Sequence, residues 1–269
     1  LGISGDITSN NILPPKHRSK AVMLAKEEGI VAGMEVVKRV FTYCNKDIDV
    51  KVLINDGQEI SPGDKLAVIS GSTRDLLKGE RTALNFIQRL SGIATKTRKY
   101  VDAVSEYSAN IVDTRKTTPT LRVLEKYAVT VAGARNHRMG LFDAVMIKDN
   151  HILAAGGIEN AVVKVKERIA HTVKIEVEVE DMEGVKKALD AGADIIMLDN
   201  MGSDLMKEAV QLIGNKALVE ASGGITLDNI VDVAATGVDI ISVGALTHQI
   251  NSLDISLNLE SVHSSAVLV

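Results

Sequence analysis

From about residue 110 onward, short runs of apolar and β-branched residues alternate with segments of helical period. The runs are ANIVD, DAVMIKD, KIEVEVE, DIIMLDN, ALVEASG and DIISVGA, separated by segments such as LRVLEKYAV, GVKKALDAG and LMKEAVQLIG. Strands that alternate with helices in this way predict βα units and a parallel sheet. Because the runs are almost wholly apolar, the strands are expected to be buried on both faces. The pattern predicts an α/β fold with an open, roughly six-stranded (β/α) barrel.

The first part of the chain has a different pattern, typical of an α+β domain. VKVLINDGQEISPGDKLAVISGS alternates and contains DG and PGD turns, which predicts antiparallel strands, whereas MLAKEEGIVAGMEVVKRVF looks helical or mixed. Long helices are predicted to follow. Their periodic apolar positions are Leu84, Ile87, Leu90 and Ile93. We predict an α+β domain over residues 1–108, a barrel domain over 109–250, and a tail, 251–269, that packs back on the first domain.

Polar residues and glycines follow the apolar runs of the predicted barrel. They are Arg115, Lys116, Lys148, Glu178, Asp199, Ser222 and Gly244. Barrels build their sites at the carboxyl ends of their strands, so we expect these residues to share one rim. Helix signals agree with this arrangement, since Thr226 is a candidate N-cap, and Gly192, Gly214 and Gly237 stand where helices should end.

Charge narrows the kind of ligand. The chain has a formal net charge of −4, but residues 113–151 carry seven Lys and Arg against four acids. A local positive excess on an acidic protein favours a small, highly charged anion as the ligand. Nucleic acid is not expected as a partner, because the excess is local, aromatic residues make up 3% of the chain and Trp is absent.

Other features bear on the compartment. Cys44 is the only cysteine, so no intrachain disulfide can form, which fits a cytoplasmic protein. No apolar run reaches the roughly 20 residues of a membrane helix, and no secretory signal is recognised. The chain opens LGISGDITS without an initiator Met, and we expect that some natural N-terminal residues are missing.

The cations of residues 113–151 suit an acidic ligand. Guanidinium groups bind carboxylates and phosphates with two parallel hydrogen bonds, as Arg115 and Arg138 would, while Lys116 and His137 add charge and hydrogen bonds. The alternative is a set of surface salt bridges. Lys148 ends an apolar strand, where it would form a Schiff base, contact a bound anion or pair with a neighbouring acid at the rim.

Acids and glycine turns complete the candidate site. Glu176, Glu178 and Glu180 alternate with valines and are expected on one strand face, with Glu178 facing the ligand. Carboxylates there require cations or a metal, such as Mg²⁺ held by Glu178 and Asp199. The turns at the ends of the last two strands suit a phosphate, although tight turns alone would explain them. Their residues are Ser222, Gly223, Gly224 and Gly244.

Long blocks in a fixed order resemble the quinolinate phosphoribosyltransferase family. They are GDITS, GERTALNFIQRLSGIAT, DTRKTTPTLRVLEKYAV, NHRMGLFDAVMIKDNHI, EVEVE, IIMLDNM, ASGGI and SVGALTH, and they span nearly the whole chain. The resemblance implies an open barrel joined to an α/β domain, and a homodimer with shared sites. The implied reaction joins quinolinate to 5-phosphoribosyl 1-pyrophosphate with Mg²⁺, giving nicotinate mononucleotide, pyrophosphate and CO₂ in de novo NAD biosynthesis.

The resemblance also implies a role for each candidate residue. The two quinolinate carboxylates would be held by Arg81, Arg115, His137, Arg138 and Lys148. The ribose and pyrophosphate would be faced by Lys116, Lys148, Glu178 and Asp199, the two acids directly or through Mg²⁺. The 5′-phosphate would be held by Ser222, Gly223, Gly224 and Gly244, with His248 nearby. Arg81, by itself an ordinary surface arginine, would reach the site of the neighbouring subunit.

Three other functions stay open from the sequence. A related phosphoribosyltransferase would use the same donor with another acceptor. An aldolase-type enzyme would use Lys148 as a Schiff-base nucleophile. A non-catalytic sensor of sugar phosphates would bind the donor tightly without turnover.

Overall fold

The computed structural model describes residues 2–260, which divide into two compact units. The first comprises residues 2–95 and 250–260, and the second comprises residues 96–249. The strands are β1 Arg18–Ala25, β2 Gly29–Ile30, β3 Asp49–Val52, β4 Glu59–Ile60, β5 Lys65–Ser72, β6 Asn110–Val112, β7 Val145–Ile147, β8 Ile175–Val179, β9 Ile195–Asp199, β10 Leu218–Ser222, β11 Ile240–Ser242 and β12 Ile255–Leu259. The helices are α1 Ile7–Ile12, α2 Met34–Cys44, α3 Thr73–Ala103, α4 Arg122–Val131, α5 Asp149–Ala155, α6 Ile158–Lys166, α7 Met182–Asp190, α8 Ser203–Ile213, α9 Ile230–Ala234 and α10 Ala245–His248.

The first unit is built on an antiparallel sheet with the order β12-β1-β5-β3. Helix α3 follows β5 as one long helix rather than several. The predicted apolar positions of this helix, Leu84, Ile87, Leu90 and Ile93, are at most 3% exposed. Residues 261–269 of the predicted returning tail lie outside the described residues, while β12 pairs with β1.

Of the two interpretations of MLAKEEGIVAGMEVVKRVF, the mixed one is confirmed and the wholly helical one is wrong. Met23, Leu24 and Ala25 end strand β1, which pairs with β5 on one side and β12 on the other. These long-range hydrogen bonds override a local helical preference worth only tenths of a kcal/mol per residue, about 0.7 at most for ordinary residues. The helix begins only at Met34.

The second unit contains a six-stranded parallel sheet with the order β6-β11-β10-β9-β8-β7. The first strand of this unit, β6, therefore lies beside its last strand, β11, as in a barrel. Within residues 2–260, the edge strands β6 and β7 do not pair with each other, so the barrel stays open between them. The predicted α/β class and open six-stranded barrel are confirmed.

The strands bring the predicted site residues to one edge of the sheet. Asp199 and Ser222 are the last residues of β9 and β10 and stand opposite each other in the parallel ladder. Lys148 follows β7 as the N-cap of α5, and Gly244 follows β11 as the N-cap of α10. Because all six strands run the same way, this edge is the carboxyl end of the barrel.

Two local predictions are wrong. Strand β8 ends at Val179, so Glu180 lies beyond it and is exposed instead of sharing the face of Glu178. Thr226 is not the N-cap of α9, because this helix begins only at Ile230 and its N-cap is Asn229, whose Oδ1 accepts the Thr226 N–H at 2.9 Å. The predicted helix ends are confirmed, since Gly192, Gly214 and Gly237 follow α7, α8 and α9 with positive φ angles.

None of the helices within residues 2–260 has the length and apolar character required to cross a membrane.

Candidate active site

A cavity of about 740 Å³ opens at the carboxyl end of the barrel strands. Twelve predicted site residues line it, and all belong to the second unit. They are Arg115, Lys116, His137, Arg138, Lys148, Glu178, Asp199, Ser222, Gly223, Gly224, Gly244 and His248. Arg81 belongs to the first unit, where it is exposed on α3.

One wall of the cavity has uncompensated positive charge. Within residues 2–260, neither Arg115 nor Arg138 forms an ion pair, and the one hydrogen bond that the Arg138 guanidinium donates goes to the Met146 sulfur, at 3.4 Å. Burial lowers the pKa of Arg138, and the positive charge of Arg115 lowers it further. Two partly buried arginines without acidic partners, one of which lowers the pKa of the other, suit an anionic ligand.

A buried ion pair fixes the loops that carry these arginines. Lys126 on α4 pairs with Asp113, at the end of β6, and both side chains are fully buried. Asp113 Oδ1 also accepts the His137 N–H at 2.9 Å, and Lys126 Nζ donates to the His137 carbonyl at 2.9 Å. The pair therefore ties the strand end to the His137 loop, which is a positioning role rather than a large gain in stability.

Arg122 holds the same two loops from the side. Its guanidinium donates to the Thr117 hydroxyl at 2.9 Å, to the Met139 carbonyl at 3.1 Å and to the Arg115 carbonyl at 3.2 Å. Sequence reasoning missed this residue, because an arginine in the first turn of a helix gives no signal that separates it from a solvated surface charge.

Lys148 forms an ion pair with Glu178 across the rim from β7 to β8. Its backbone N–H donates to His151 Nδ1 at 3.0 Å, which fixes the start of α5. This ion pair is one of the alternatives that the sequence left open for Lys148. A Schiff-base nucleophile must be a free, neutral amine, so an ammonium group paired with a carboxylate does not support the aldolase-type alternative.

Asn200 is a further residue of the cavity that sequence reasoning missed. It follows Asp199 with a left-handed backbone, at φ 55°, and its N–H donates to the Ser222 carbonyl at 2.9 Å. A non-glycine residue in this conformation is unusual and is found mainly at functional sites. The signal was available, because Asn tolerates positive φ better than most residues and directly follows the strand end.

Glycine is favoured for different physical reasons in the turn of Gly223 and Gly224 and in the turn of Gly244. Gly223 and Gly224 have φ angles of 84° and 61°, which side chains disfavour. Gly244 has ordinary helical angles, but a Cβ there would lie 3.1 Å from His248 Nε2 and 3.2 Å from Lys116 Cδ. The second turn thus leaves little room for a side chain, because Lys116 and His248 pack against its backbone.

The acids of the rim are compatible with a magnesium ion. Glu178 and Asp199 both line the cavity and offer carboxylate oxygens, the ligands that Mg²⁺ prefers. Two carboxylates suit an ion that takes its other ligands from water and substrate phosphates. In the described part of the chain, the one group of three His or acidic ligands lies elsewhere, at His137, Glu176 and Glu220.

Comparison with known proteins matches both parts of the chain to domains of one family. Residues 6–91 match the model of the quinolinate phosphoribosyl transferase N-terminal domain, and residues 93–258 match that of the C-terminal domain. The chain is 47% identical to the probable nicotinate-nucleotide pyrophosphorylase (carboxylating) of Synechocystis sp., over 91% of this chain and 84% of the relative. It is 45% identical to the protein of the same name from Bacillus subtilis, over 95% and 88%.

A solved structure agrees with these relatives. The nicotinate-nucleotide pyrophosphorylase from Francisella tularensis superposes with a TM-score of 0.92 at 41% identity, covering 96% of this chain and 91% of that one. Both domain models match, relatives at this identity cover most of the chain, and the chain therefore belongs to the quinolinate phosphoribosyl transferase family.

Proposed function

We propose that the protein transfers the phosphoribosyl group of 5-phosphoribosyl 1-pyrophosphate to quinolinate with loss of CO₂, giving nicotinate mononucleotide and pyrophosphate in de novo NAD biosynthesis. The observation that supports it most directly is the unpaired arginine wall, Arg115 and Arg138, within one cavity that also contains the Lys148–Glu178 pair and two glycine turns. The names of the family's members agree with this reaction.

The arginine wall suits the acceptor. Quinolinate has two adjacent carboxylates, and Arg115 and Arg138 together offer two guanidinium groups without carboxylate partners of their own. Lys148 lies on the same cavity and adds a third positive charge. Binding both carboxylates fixes the pyridine nitrogen against the ribose carbon, which lowers the entropic part of the barrier.

The acids face the developing charge on the donor. Loss of pyrophosphate from the anomeric carbon gives the ribose an oxocarbenium character, which the carboxylates of Glu178 and Asp199 stabilise. Lys116 and Lys148 stabilise the departing pyrophosphate. The backbone of Ser222, Gly223, Gly224 and Gly244 holds the 5′-phosphate, with His248 packed against the last turn.

We further propose that Glu178 and Asp199 hold Mg²⁺ together with the donor, directly or through water. When bound, the ion neutralises the negative charge of the pyrophosphate. In that role Glu178 would share its carboxylate between the ion and Lys148, and the Lys148 ammonium group would also contact the anionic substrates.

No general base is required for the transfer, because the pyridine nitrogen is already a nucleophile. Once the nitrogen carries the ribosyl group, the cationic ring accepts the electron pair of the C–C bond that breaks as the neighbouring carboxylate leaves as CO₂. A proton then replaces the carboxylate on the ring carbon. The residues of the cavity mainly orient that carboxylate and exclude competing geometries.

Arg81 is proposed to act in a homodimer, at the site of a second copy. It is an exposed arginine on α3 of the first unit. Mixing Arg81→Ala with Lys148→Ala should restore part of the activity through mixed dimers that contain one intact site. If subunit exchange is demonstrated by mass and no activity returns, the shared site is refuted.

The direct test supplies quinolinate, 5-phosphoribosyl 1-pyrophosphate and Mg²⁺ to the purified chain. Nicotinate mononucleotide and CO₂ should appear in equal amounts, and omission of either substrate should abolish both. A folded protein that binds the donor but forms no product would support the sugar-phosphate sensor instead. Competition among pyridine mono- and dicarboxylates tests for another acceptor, and preference for a monocarboxylate would overturn quinolinate as the substrate.

A further inference from the structure

Three titratable side chains meet in the interior of the barrel, and the proposed reaction does not use two of them. Glu176 on β8 and Glu220 on β10 have side chains that are 3% and 2% exposed, and His137 lies between them at 11%. Glu220 Oε1 has no hydrogen-bond partner within residues 2–260. A buried carboxyl oxygen without a partner is costly, so its retention requires an explanation.

Both ring nitrogens of His137 are engaged by the protein. Burial lowers the pKa of His137, but Glu176 and Glu220 raise it by more. Nδ1 nevertheless accepts the N–H of Arg138 at 2.6 Å, which requires a lone pair on Nδ1, so the form that fits this contact is the neutral ring with its proton on Nε2. Nε2 lies 3.2 Å from Glu176 Oε2 and 3.5 Å from Glu220 Oε1. Although His137 lines the cavity, neither nitrogen is left to bind an acceptor carboxylate.

This arrangement does not suit a metal ion. The three side chains offer ligand atoms within 4.8 Å of one another, as a metal site would. A metal on Nε2 of His137 would require the proton to move to Nδ1, where it would meet the Arg138 N–H. The cluster is therefore suited to hydrogen bonding and not to metal coordination.

We propose that Glu220 is a positioning residue for acceptor binding: with Glu176 it orients the His137 imidazole, and the imidazole in turn fixes the backbone of Arg138. The inference rests on the proposed function for the identity of the acceptor. Arg138 is one of the two unpaired arginines of the cavity, and its backbone N–H is held by no other acceptor within the described residues. Displacing the imidazole would therefore displace the guanidinium that binds the acceptor.

The charge state of Glu220 decides whether this arrangement persists. Burial and, after it, the charge of Glu176 raise the pKa of Glu220 to about 8, against opposing contributions from His137, Ser242 and Lys148. These groups lie on β8, the His137 loop, β11 and the start of α5. Glu220 is thus neutral at pH 7, and its ionisation adds a second negative charge beneath the imidazole.

Two variants test the role in catalysis. Glu220→Gln keeps a neutral group of the same shape, and Glu220→Leu removes the polar group. At pH 7 we expect Glu220→Leu to raise the KM for quinolinate about tenfold, with kcat and the donor KM changed by less than about threefold, and Glu220→Gln to stay within about threefold of the native enzyme throughout. The native KM for quinolinate should rise between pH 7 and 9, and this rise should be absent in Glu220→Gln.

Equal changes in both KM values, or no change in Glu220→Leu, would refute the proposal. A readout without substrate separates it from the proposed function. In the spectrum of ¹⁵N-histidine-labelled protein, the His137 ring, assigned by its loss in His137→Gln, should be in the Nε2–H form at pH 7. It should shift with a midpoint near 8 in the native protein and not in Glu220→Gln.

A proton on Nδ1, or a spectrum that does not respond to Glu220→Gln, would overturn the positioning role even in an active enzyme. The expected spectrum in a protein that does not use quinolinate would instead refute the proposed acceptor and support the interior network. Far-ultraviolet circular dichroism shows whether each variant is folded. If Glu220→Leu does not fold, the comparison of Glu220→Gln with the native protein still tests the proposal.

Discussion

The Asn200 side-chain amide donates to Asp199 Oδ2 at 3.0 Å, from a backbone with the left-handed φ of 55°. The same side chain fills the space beside the phosphate turn, where a Cβ added to Gly223 would lie 2.3 Å from Asn200 Oδ1. One residue therefore links the acid proposed to face the ribose with the turn proposed to hold the 5′-phosphate. Its strained backbone is maintained because both contacts depend on it.

Asn200→Gly should lower kcat/KM by about tenfold, because glycine keeps the left-handed backbone but removes the amide that holds Asp199. Asn200→Ala should be worse than Asn200→Gly, since it removes the amide and keeps the steric cost of the positive φ. Steady-state kinetics with both substrates checks this order. A more active Ala variant would show that backbone strain at Asn200 is not important.

Gly223→Ala should abolish most of the activity, because its Cβ would collide with Asn200 and its φ of 84° disfavours a side chain. In the double variant with Asn200→Gly, the collision is gone and only the backbone cost remains. We therefore expect the loss of activity in the double variant, expressed as activation free energy, to be smaller than the sum of the losses in the two single variants. Strict additivity in this double-mutant cycle would contradict the contact.

The barrel and its rim were predictable because their signals are local and periodic. Each strand ends where an apolar run ends, so the positions of Lys148, Asp199 and Ser222 followed from the alternation of runs and helices. Parallel strands then place these ends at one edge. The segment around Met23 was not predictable in this way, because its strand is defined by pairing with β5 and β12, which are distant in the chain.

The supporting residues of the site were not predicted for a related reason. Arg122 acts through three contacts with two separate loops, none of which a local pattern encodes. The sequence did contain a signal for Glu220, since a carboxylate within the buried run LVEAS has to be paired or neutral. Its partners His137 and Glu176 lie on other elements, so only the fold identifies them.

Gly244→Ala should raise the KM for the phosphoribosyl donor by about tenfold, because the new Cβ would push on Lys116 and His248 at the phosphate turn. Gly244 has helical angles, so backbone strain contributes nothing to this effect. Gly202→Ala is the matched control, since a Cβ there meets no atom within 4 Å and φ is −74°. Similar effects of the two substitutions would exclude a specific contact.

The buried Glu220 predicts how stability depends on pH. Its pKa rises from 4.5 in the unfolded chain to about 8 in the folded protein, so folding takes up a proton between these values. The stability associated with this group is fully present below pH 4.5 and is lost as the pH rises through 8, with a slope of at most about 1.4 kcal/mol per pH unit. Urea unfolding between pH 5 and 9 should show this slope in the native protein and not in Glu220→Gln. Parallel curves for the two proteins would mean that Glu220 is already ionised at pH 5.

Removing one member of the Lys126–Asp113 pair should lower the free energy of unfolding strongly, whereas replacing both with neutral residues should lower it little. Burial raises the pKa of Asp113, opposed by Lys126, so Lys126→Met leaves a carboxyl group in the interior without its cation. Breaking a buried pair costs about 3–5 kcal/mol, and we expect a loss of unfolding free energy in this range from urea denaturation. Lys187→Met, which removes an exposed pair with Glu183, is the control and should change stability little.

Asp113→Asn combined with Lys126→Met should recover much of the stability, because no charge is left buried. It should not recover the activity, since Lys126 also donates to the His137 carbonyl and Asp113 accepts the His137 N–H. A double variant that regains full activity would show that the pair does not position the acceptor loop.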